Sequence, residues 1–216
     1  MSSGCGVKGE AFTKESSSFG AHSPSVETFR SGDEIQVGWG RKGFVSCSVS
    51  YISHRTALTA GHCGKKYAKV FSKGKEIGWV SNNYLFSDTG VDIAEITLID
   101  TYGYDVRVDS MVQQDIYSGM PLVVFTFLNG GRKGTLQDEK IGCQRFSIDG
   151  VSVIANVYTA ELDTAPGSSG APIYSEEGEL IGIVQGGDGN GTTSFTPLTF
   201  LDPTNSSLDV SAVCAK

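Results

Sequence analysis

Residues 43–52 read GFVSCSVSYI, and this stretch indicates the fold class. Apolar side chains and serines alternate along it with a period of two, which is the pattern of a β-strand that buries one face. The alternation places Val45, Cys47, Val49 and Tyr51 on one face and Ser46, Ser48 and Ser50 on the other. We therefore expect a strand whose apolar face lies in a core.

Other short segments show the same alternation and are separated by Gly, Asn and Asp clusters. The further candidate strands are residues 34–39, 56–60, 69–72, 78–81, 92–99, 121–128, 151–162, 171–174, 180–185 and 194–198. Residues 175–179, SEEGE, would form a hairpin turn in which Gly178 supplies a positive φ. So many short strands predict an all-β protein of two sheets or barrels. A short helix is expected only after Pro203, within the segment 201–216.

Composition and charge exclude several classes of protein. The 216 residues include 17 Lys and Arg against 24 Asp and Glu, and the resulting net charge of −7 has the wrong sign for binding phosphate backbones. No apolar run approaches the roughly 20 residues that a membrane-spanning helix needs. We expect a soluble globular protein with no nucleic-acid partner and no membrane span.

The cysteines favour disulfides over metal binding. The chain has five of them, Cys5, Cys47, Cys63, Cys143 and Cys214, and none forms a C-x-x-C motif. Zinc ribbons and thioredoxin-like redox motifs are therefore unsupported. An odd count leaves at least one thiol free or bonded to another chain, and the residue pattern alone leaves the pairing open.

The N-terminal region predicts a flexible arm. Residues 1–10, MSSGCGVKGE, lack the apolar segment of a signal peptide in the sequence as given. Residues 1–32 are rich in Ser and Gly, so we expect them to be loosely ordered.

Three motifs carry candidate chemistry. In TALTAGHC (56–63), His62 follows an apolar strand and a Gly, and in GVDIAEI (90–96), Asp92 adjoins an apolar strand. In DTAPGSSGAP (163–172), glycines flank a serine in a tight turn between two strands. Such glycines allow backbone N–H groups to converge near the hydroxyl, as a tetrahedral oxyanion requires.

The order His, Asp, Ser with AGHC and GSSG flanks resembles the chymotrypsin-like serine peptidases. The resemblance is closest to the compact bacterial members, which are streptogrisin-like and glutamyl-endopeptidase-like, and it extends over roughly residues 35–200. It implies two perpendicular antiparallel β-barrels with the active site between them. The first barrel would occupy residues 33–108 and the second residues 109–200, followed by a tail or short helix over 201–216.

The resemblance also implies roles for individual residues. Ser169 would be the nucleophile, His62 the general base, and Asp92 the residue that orients and stabilises His62; Asp88 is a competing candidate for the acid. The backbone N–H groups of Gly167 and Ser169 would form the oxyanion hole. Cys47 and Cys63 match the family disulfide beside the catalytic His. No metal and no other cofactor is implied.

A substrate pocket follows from the same resemblance. Its candidate residues are Asp163, Thr164, Gln185, Gly186, Gly187 and Ser194. Asp163 lies six positions before Ser169, where trypsin-like members carry the acid that binds a substrate Lys or Arg, so a basic P1 residue is expected. The sequence D-T-x-x-G-x-S also resembles glutamyl endopeptidases, but Val184 stands where those enzymes carry a His. Both interpretations stay open, with the basic one favoured.

Some departures from the family pattern leave alternatives. Ser168 replaces the Asp that pairs with a new N-terminus in animal members, and Gln185 replaces the Ser that bonds the catalytic Asp. We expect a secreted endopeptidase acting on proteins or peptides, with a protein inhibitor as a further candidate partner. The alternatives are a catalytically silent or narrowly specific homologue that acts as a binding, adhesion or toxin domain.

Overall fold

The structure, a computed structural model, describes residues 27–40, 43–86, 90–99, 104–111, 116–148 and 151–201. Their regular structure is β, apart from short 3₁₀ turns at Gly61–Cys63, Tyr84–Phe86 and Leu198–Leu201. The strands are β1 (Glu27–Phe29), β2 (Glu34–Gly38), β3 (Phe44–Ser48), β4 (Ser50–Tyr51), β5 (Thr56–Thr59), β6 (Lys69–Ser72), β7 (Lys75–Asn83), β8 (Ala94–Leu98), β9 (Tyr104–Val106), β10 (Pro121–Thr126), β11 (Gly130–Ile148), β12 (Val151–Glu161), β13 (Pro172–Tyr174), β14 (Leu180–Gly187) and β15 (Thr192–Pro197). Within the described ranges, no helix is long and apolar enough to cross a membrane.

The first sheet contains seven antiparallel strands in the order β3-β2-β6-β7-β8-β5-β4. Its two edge strands, β3 and β4, are consecutive in the chain and are separated only by Val49. The sheet must therefore curl until its edges meet at that residue. The curled sheet encloses a core that includes Ile35, Val37, Val49, Val70 and Ile96, all fully buried.

The second sheet is a closed antiparallel barrel in the order β10-β11-β12-β15-β14-β13. Its interior includes Leu122, Val124, Leu136, Ile173 and Phe195. A third buried cluster joins Leu58, Val91 and Ile93 of the first half to Leu180 and Ile183 of the second. Because this cluster buries apolar side chains from both halves, it packs the two sheets against each other.

The all-β prediction is confirmed, and each candidate strand overlaps a strand of the structure. The hairpin turn at residues 175–179 is confirmed as well: Ser175 N–H donates to Glu179 O at 2.9 Å, and Gly178 has φ +84°. The expected C-terminal helix lies outside the described residues, apart from the 3₁₀ turn that ends at Leu201.

Two parts of the structure differ from the sequence expectations. β1 lies inside the segment predicted as a flexible arm, where it pairs in parallel with β9 and buries Phe29. The long strand β11 was not among the candidates, because its sequence GGRKGTLQDEKIGCQRFSI mixes charges and glycines without alternation. One of those glycines has a structural reason: a Cβ at Gly134 would lie 1.7 Å from Glu161 O, so the two backbones can approach only without a side chain there.

The predicted pairing of Cys47 with Cys63 is confirmed by a disulfide between them. Cys143, on β11, is also disulfide-bonded. Because Cys47 and Cys63 bond each other, the candidates for its partner within the chain are Cys5 and Cys214, which both lie outside the described residues.

Candidate active site

His62 is presented by a short turn that follows strand β5. The strand ends at Thr59, and residues Gly61–Cys63 form one 3₁₀ turn with His62 at its centre. The turn is fixed on one side by the disulfide from Cys63 to Cys47 of β3. On the same side, Trp39 Nε1 donates a hydrogen bond to Cys63 O at 2.7 Å. The ring of His62 therefore projects from a turn that is bonded to two neighbouring segments.

Asp92 lies two residues before strand β8 and is completely buried. Its two carboxylate oxygens both accept from His62. The backbone N–H donates to Oδ1 at 2.7 Å, and Nδ1 donates to Oδ2 at 2.7 Å. Two bonds to one residue fix both the position of the backbone and the rotation of the ring. They also leave Nε2 as the ring nitrogen that faces away from Asp92.

Asp92 also changes the basicity of the ring. Burial lowers the pKa of His62, whereas the charge of Asp92 and its hydrogen bond to the ring raise it, and the net effect is a pKa above the ordinary value. A raised pKa makes the imidazole a better proton acceptor, which is the property that a general base needs.

Ser169 lies in the turn between β12 and β13 of the second barrel. Its Oγ is 3.0 Å from His62 Nε2 and donates a hydrogen bond to Gln185 O at 2.7 Å. The side chains of Ser169, His62 and Asp92 are thus joined in one line across the boundary between the barrels. The structure brings together all three residues that the sequence proposed, while Asp88 lies outside the described residues.

The turn that carries Ser169 uses some of its backbone N–H groups and leaves others available. Ser168 N–H donates to Ala165 O at 3.0 Å, and Gly170 N–H donates to Val184 O at 2.7 Å. The backbone N–H groups of Gly167 and Ser169 have no hydrogen-bond acceptor among the described residues. Gly167 has φ +99°, a left-handed conformation that favours glycine. These are the two N–H groups predicted for an oxyanion hole.

Gly170 allows this turn to approach the first barrel. A Cβ at Gly170 would lie 2.2 Å from Ser48 O and 2.3 Å from Thr59 Oγ1, and its φ is +90°. Any larger residue would push the turn away from β3 and β5, which would increase the distance from Ser169 to His62.

The predicted substrate pocket has one exposed acid and a tightly packed wall. Asp163 is exposed to solvent, whereas the next residue, Thr164, is buried. Thr164 Oγ1 lies 2.8 Å from Thr193 Oγ1, which donates to Leu162 O at 2.7 Å. A Cβ at Gly187 would lie 2.5 Å from Thr164 Oγ1, so the hydroxyl of Thr164 nearly touches the opposite wall.

The remaining predicted pocket residues form the wall opposite Thr164. Gln185, Gly186 and Gly187 are the last three residues of β14, and Ser194 pairs with Gly186 from β15. Strand β13 pairs with β14 only up to Ile183. Residues 185–187 therefore extend beyond the end of β13, on the edge of β14 that faces it. The described residues contain no group of three or more His, Cys, Asp or Glu side chains that could hold a metal ion.

Comparison with known proteins connects this geometry with a family. The model of the trypsin-like peptidase domain matches residues 43–183, about two thirds of the chain. The chain belongs to the trypsin-like peptidase family. As a member of that family it is a serine endopeptidase, a hydrolase whose substrates are proteins or peptides. A search of curated proteins gave no significant match.

Solved bacterial proteases share the fold of this trypsin-like peptidase. Thermobifida fusca Protease A is 21% identical, with a TM-score of 0.60 over 86% of this chain and 96% of that one. Nocardiopsis protease is 20% identical, with a TM-score of 0.60 over 85% and 96%. A glutamic acid-specific serine protease described as using a histidine triad in substrate binding is 19% identical, with a TM-score of 0.57 over 85% and 98%. These similarities confirm the chymotrypsin-like double-barrel prediction.

Several residues support the site of this trypsin-like peptidase although the sequence did not identify them. Ser48 N–H donates to Ser169 O at 2.7 Å, and Ser48 Oγ donates to Gly167 O at 3.1 Å. Ser50 Oγ donates to Gly170 O at 3.0 Å. Both serines are completely buried, although alternation places them on the same face as Ser46, which is exposed. In the sequence, the only sign of this contact between the barrels is the alternation of serines at positions 46, 48 and 50.

The two departures from the family pattern have structural explanations in this trypsin-like peptidase. Ser168 is completely buried, and its Oγ accepts a hydrogen bond from Ala165 N–H at 3.3 Å, so it closes its own turn. The side-chain amide of Gln185 donates to Thr196 Oγ1 within the second barrel. The bond from the His62 backbone N–H to Asp92 thus gives the carboxylate a partner that does not depend on residue 185.

Proposed function

We propose that this serine endopeptidase cleaves peptide bonds with Ser169 as nucleophile, His62 as general base and Asp92 as the residue that orients His62. The observation that carries the proposal is the pair of contacts made by one imidazole, Nδ1 to Asp92 Oδ2 at 2.7 Å and Nε2 to Ser169 Oγ at 3.0 Å. A serine hydroxyl is a weak nucleophile at neutral pH, and an adjacent base of suitable pKa is what activates it.

The reaction then proceeds in two stages, acylation of Ser169 and hydrolysis of the acyl ester. The Ser169 hydroxyl proton first turns from Gln185 O toward His62 Nε2, which lies 3.0 Å from Oγ. Ser169 Oγ then attacks the carbonyl carbon while His62 Nε2 takes that proton, and the same proton is passed to the departing amine as the C–N bond breaks. Water next attacks the acyl ester, His62 accepts a proton from that water, and Ser169 Oγ receives it when the acid product leaves. In each stage, the N–H groups of Gly167 and Ser169 would donate to the oxyanion.

Residues 185–187 would bind the acyl side of the substrate. The backbone of β14 continues past the end of β13 there, beside the Ser169 hydroxyl that donates to Gln185 O. An extended peptide could add to such an edge through main-chain hydrogen bonds. Gly186 and Gly187 present no side chain that would obstruct it.

The contacts of Thr164 favour a small, uncharged P1 side chain. A Cβ at Gly187 would lie 2.5 Å from Thr164 Oγ1, so the space between these two walls of the pocket is narrow. Cleavage after Arg or Lys, which depends on Asp163, stays a prediction. A carboxylate that binds a basic side chain would lie at the base of the pocket. Asp163 is exposed to solvent, so its position supports cleavage after Arg or Lys only weakly.

We also infer that the protein functions outside the reducing cytosol. The disulfide between Cys47 and Cys63 supports this, because such bonds persist in oxidising compartments and are rare where thiols are kept reduced.

One experiment tests the peptidase proposal. The protein and its Ser169→Ala variant, both folded under oxidising conditions, are incubated with a diverse peptide pool, and the cuts are mapped by mass spectrometry. We expect cleavage by the parent protein and a loss of about 10⁶-fold in the variant, as for other serine proteases that lose this residue. Equal cleavage by both proteins would contradict the assignment of Ser169. Absence of cleavage, combined with tight capture of one protein partner, would support the binding-domain alternative.

A further inference from the structure

Asn83, at the end of strand β7, bonds the residues on both sides of His62 and the turn that follows its own strand. Its Nδ2 donates to Gly61 O at 2.7 Å and to Gly64 O at 2.6 Å, and its Oδ1 accepts from Leu85 N–H at 3.0 Å. The two carbonyls lie on either side of His62 in the chain. Both donors and the acceptor of one half-buried side chain are therefore in use.

The same residue is close to the partner of His62. The backbone of Asn83 pairs with Ala94, two residues after Asp92. A Cβ at Gly61 would lie 2.9 Å from Asn83 Oδ1 and 3.0 Å from Asp92 Oδ1. Asn83 thus fills the space beside the turn, and it ties that turn to the end of the β7–β8 strand pair, two residues from Asp92.

This arrangement matters because His62 contacts Asp92 through its backbone as well as its ring. Both bonds are 2.7 Å long, and both depend on where the turn lies. A turn released from Asn83 can shift relative to Asp92, which would lengthen both bonds together and rotate Nε2 away from Ser169. A misplacement of about 1 Å in such a group costs of the order of 10²-fold in rate.

We propose that Asn83 is a positioning residue for catalysis, which holds the His62 turn in register with Asp92 through its two amide donors. The inference rests on the roles proposed above for His62, Asp92 and Ser169. It goes beyond them by assigning a function to a side chain that touches neither the substrate nor the reacting atoms.

The test uses two substitutions at Asn83 and one matched control. Asn83→Ala removes the amide, and Asn83→Asp keeps its shape and the acceptor for Leu85 N–H but removes both donors. The control is Ser81→Ala, two residues earlier on β7, which removes a hydroxyl that donates to Glu95 O at 3.3 Å and not to the His62 turn. We expect kcat to fall about 10²-fold in both Asn83 variants with KM changed less than threefold, and both constants to stay within about threefold of the parent values in the control.

A spectroscopic measurement separates positioning from a general loss of stability. The proton on His62 Nδ1 gives a strongly downfield NMR resonance when its bond to Asp92 is short, and we expect that resonance to move upfield or broaden in the Asn83 variants while the unfolding midpoint shows that they are folded. In the parent protein, the two side-chain amide protons of Asn83 should exchange slowly with solvent. This last observation requires no variant to fold.

Several outcomes would overturn the proposal. They are parent-like kcat in Asn83→Asp, an unmoved His62 resonance, or fast exchange of both Asn83 amide protons in the parent protein. A parent protein that shows no Ser169-dependent cleavage would instead contradict the proposed function. The His62 resonance and the Asn83 amide exchange could then still be measured, so the two failures can be distinguished.

Discussion

The two halves of the candidate site differ in how firmly their residues are held. Around His62, the polar atoms of residues 61–64 bond to Asp92, Asn83 and Trp39, and a disulfide adds a covalent link. Around the pocket, the contacts between the walls are the hydroxyl pair of Thr164 and Thr193 and the close approach of Gly187. We infer from the comparison that the proposed catalytic geometry depends on many contacts between several segments, whereas the predicted pocket depends on the few side chains that pack across it.

The largest effect should come from breaking the centre of the firmly held half. Asp92→Asn keeps the shape of the residue but replaces the charged acceptor of His62 Nδ1–H with a neutral amide. We expect kcat to fall about 10⁴-fold, as for the same change in other serine proteases. The measurement is kcat and kcat/KM for a peptide amide against pH.

The same variant makes a prediction about pH. Peptide cleavage requires neutral His62, so kcat/KM should rise as pH increases through the His62 pKa. Asp92 raises that pKa, and its removal should therefore move the acidic limb of the profile to lower pH. A loss of less than tenfold, or an unmoved acidic limb, would indicate that Asp92 does not orient His62.

A smaller effect should follow from removing the covalent link of the same half. Replacing both Cys47 and Cys63 with Ser opens a bridge between residues separated by 16 positions. In the chain-entropy model, closing a loop of this size is worth about 3 kcal/mol, so the free energy of unfolding should fall by about that amount. Denaturant titration measures it, with Cys143 left intact in both proteins. An unchanged midpoint would show that the hydrogen bonds of the turn are sufficient without the bridge.

The three proposed catalytic residues could be identified from the sequence because each lies in a short motif, and their roles stay predictions. Gly61 precedes His62, and Gly167 and Gly170 surround Ser169. A side chain would clash with its neighbours at Gly61 and Gly170, and Gly167 and Gly170 both have a positive φ. The family resemblance implied the Cys47–Cys63 bridge, and the structure confirms it. Candidates of this kind can be found in the sequence because the residues that mark them lie within a few positions of one another.

The supporting residues could not be predicted in this way. Asn83 and Ser48 act through partners that are 19 to 22 and 119 to 121 positions away along the chain, and nothing near either residue marks that distance. β11 was missed because most of its described residues are exposed, so the strand depends on pairing with β10 and β12 and shows no apolar alternation. Asp163 was interpreted from its position relative to Ser169, whereas the direction of its side chain depends on how the walls of the pocket pack.

The smallest effect on turnover, and the largest on substrate choice, should come from the predicted pocket. Asp163→Asn should change kcat/KM less than about twofold for any P1 residue if the pocket is closed by Thr164. Thr164→Ala removes the hydroxyl that faces Gly187, so it should raise kcat/KM for P1 Leu relative to P1 Ala by about tenfold, the range set by added methylene groups in a pocket. Matched peptides that differ only at P1 provide the measurement. A loss of about 10²-fold with P1 Arg in Asp163→Asn, and no change in Thr164→Ala, would support the basic specificity and contradict the small pocket. Either result would leave the bonds from the His62 turn to Asp92, Asn83 and Trp39 in place, because neither Thr164 nor Asp163 takes part in them.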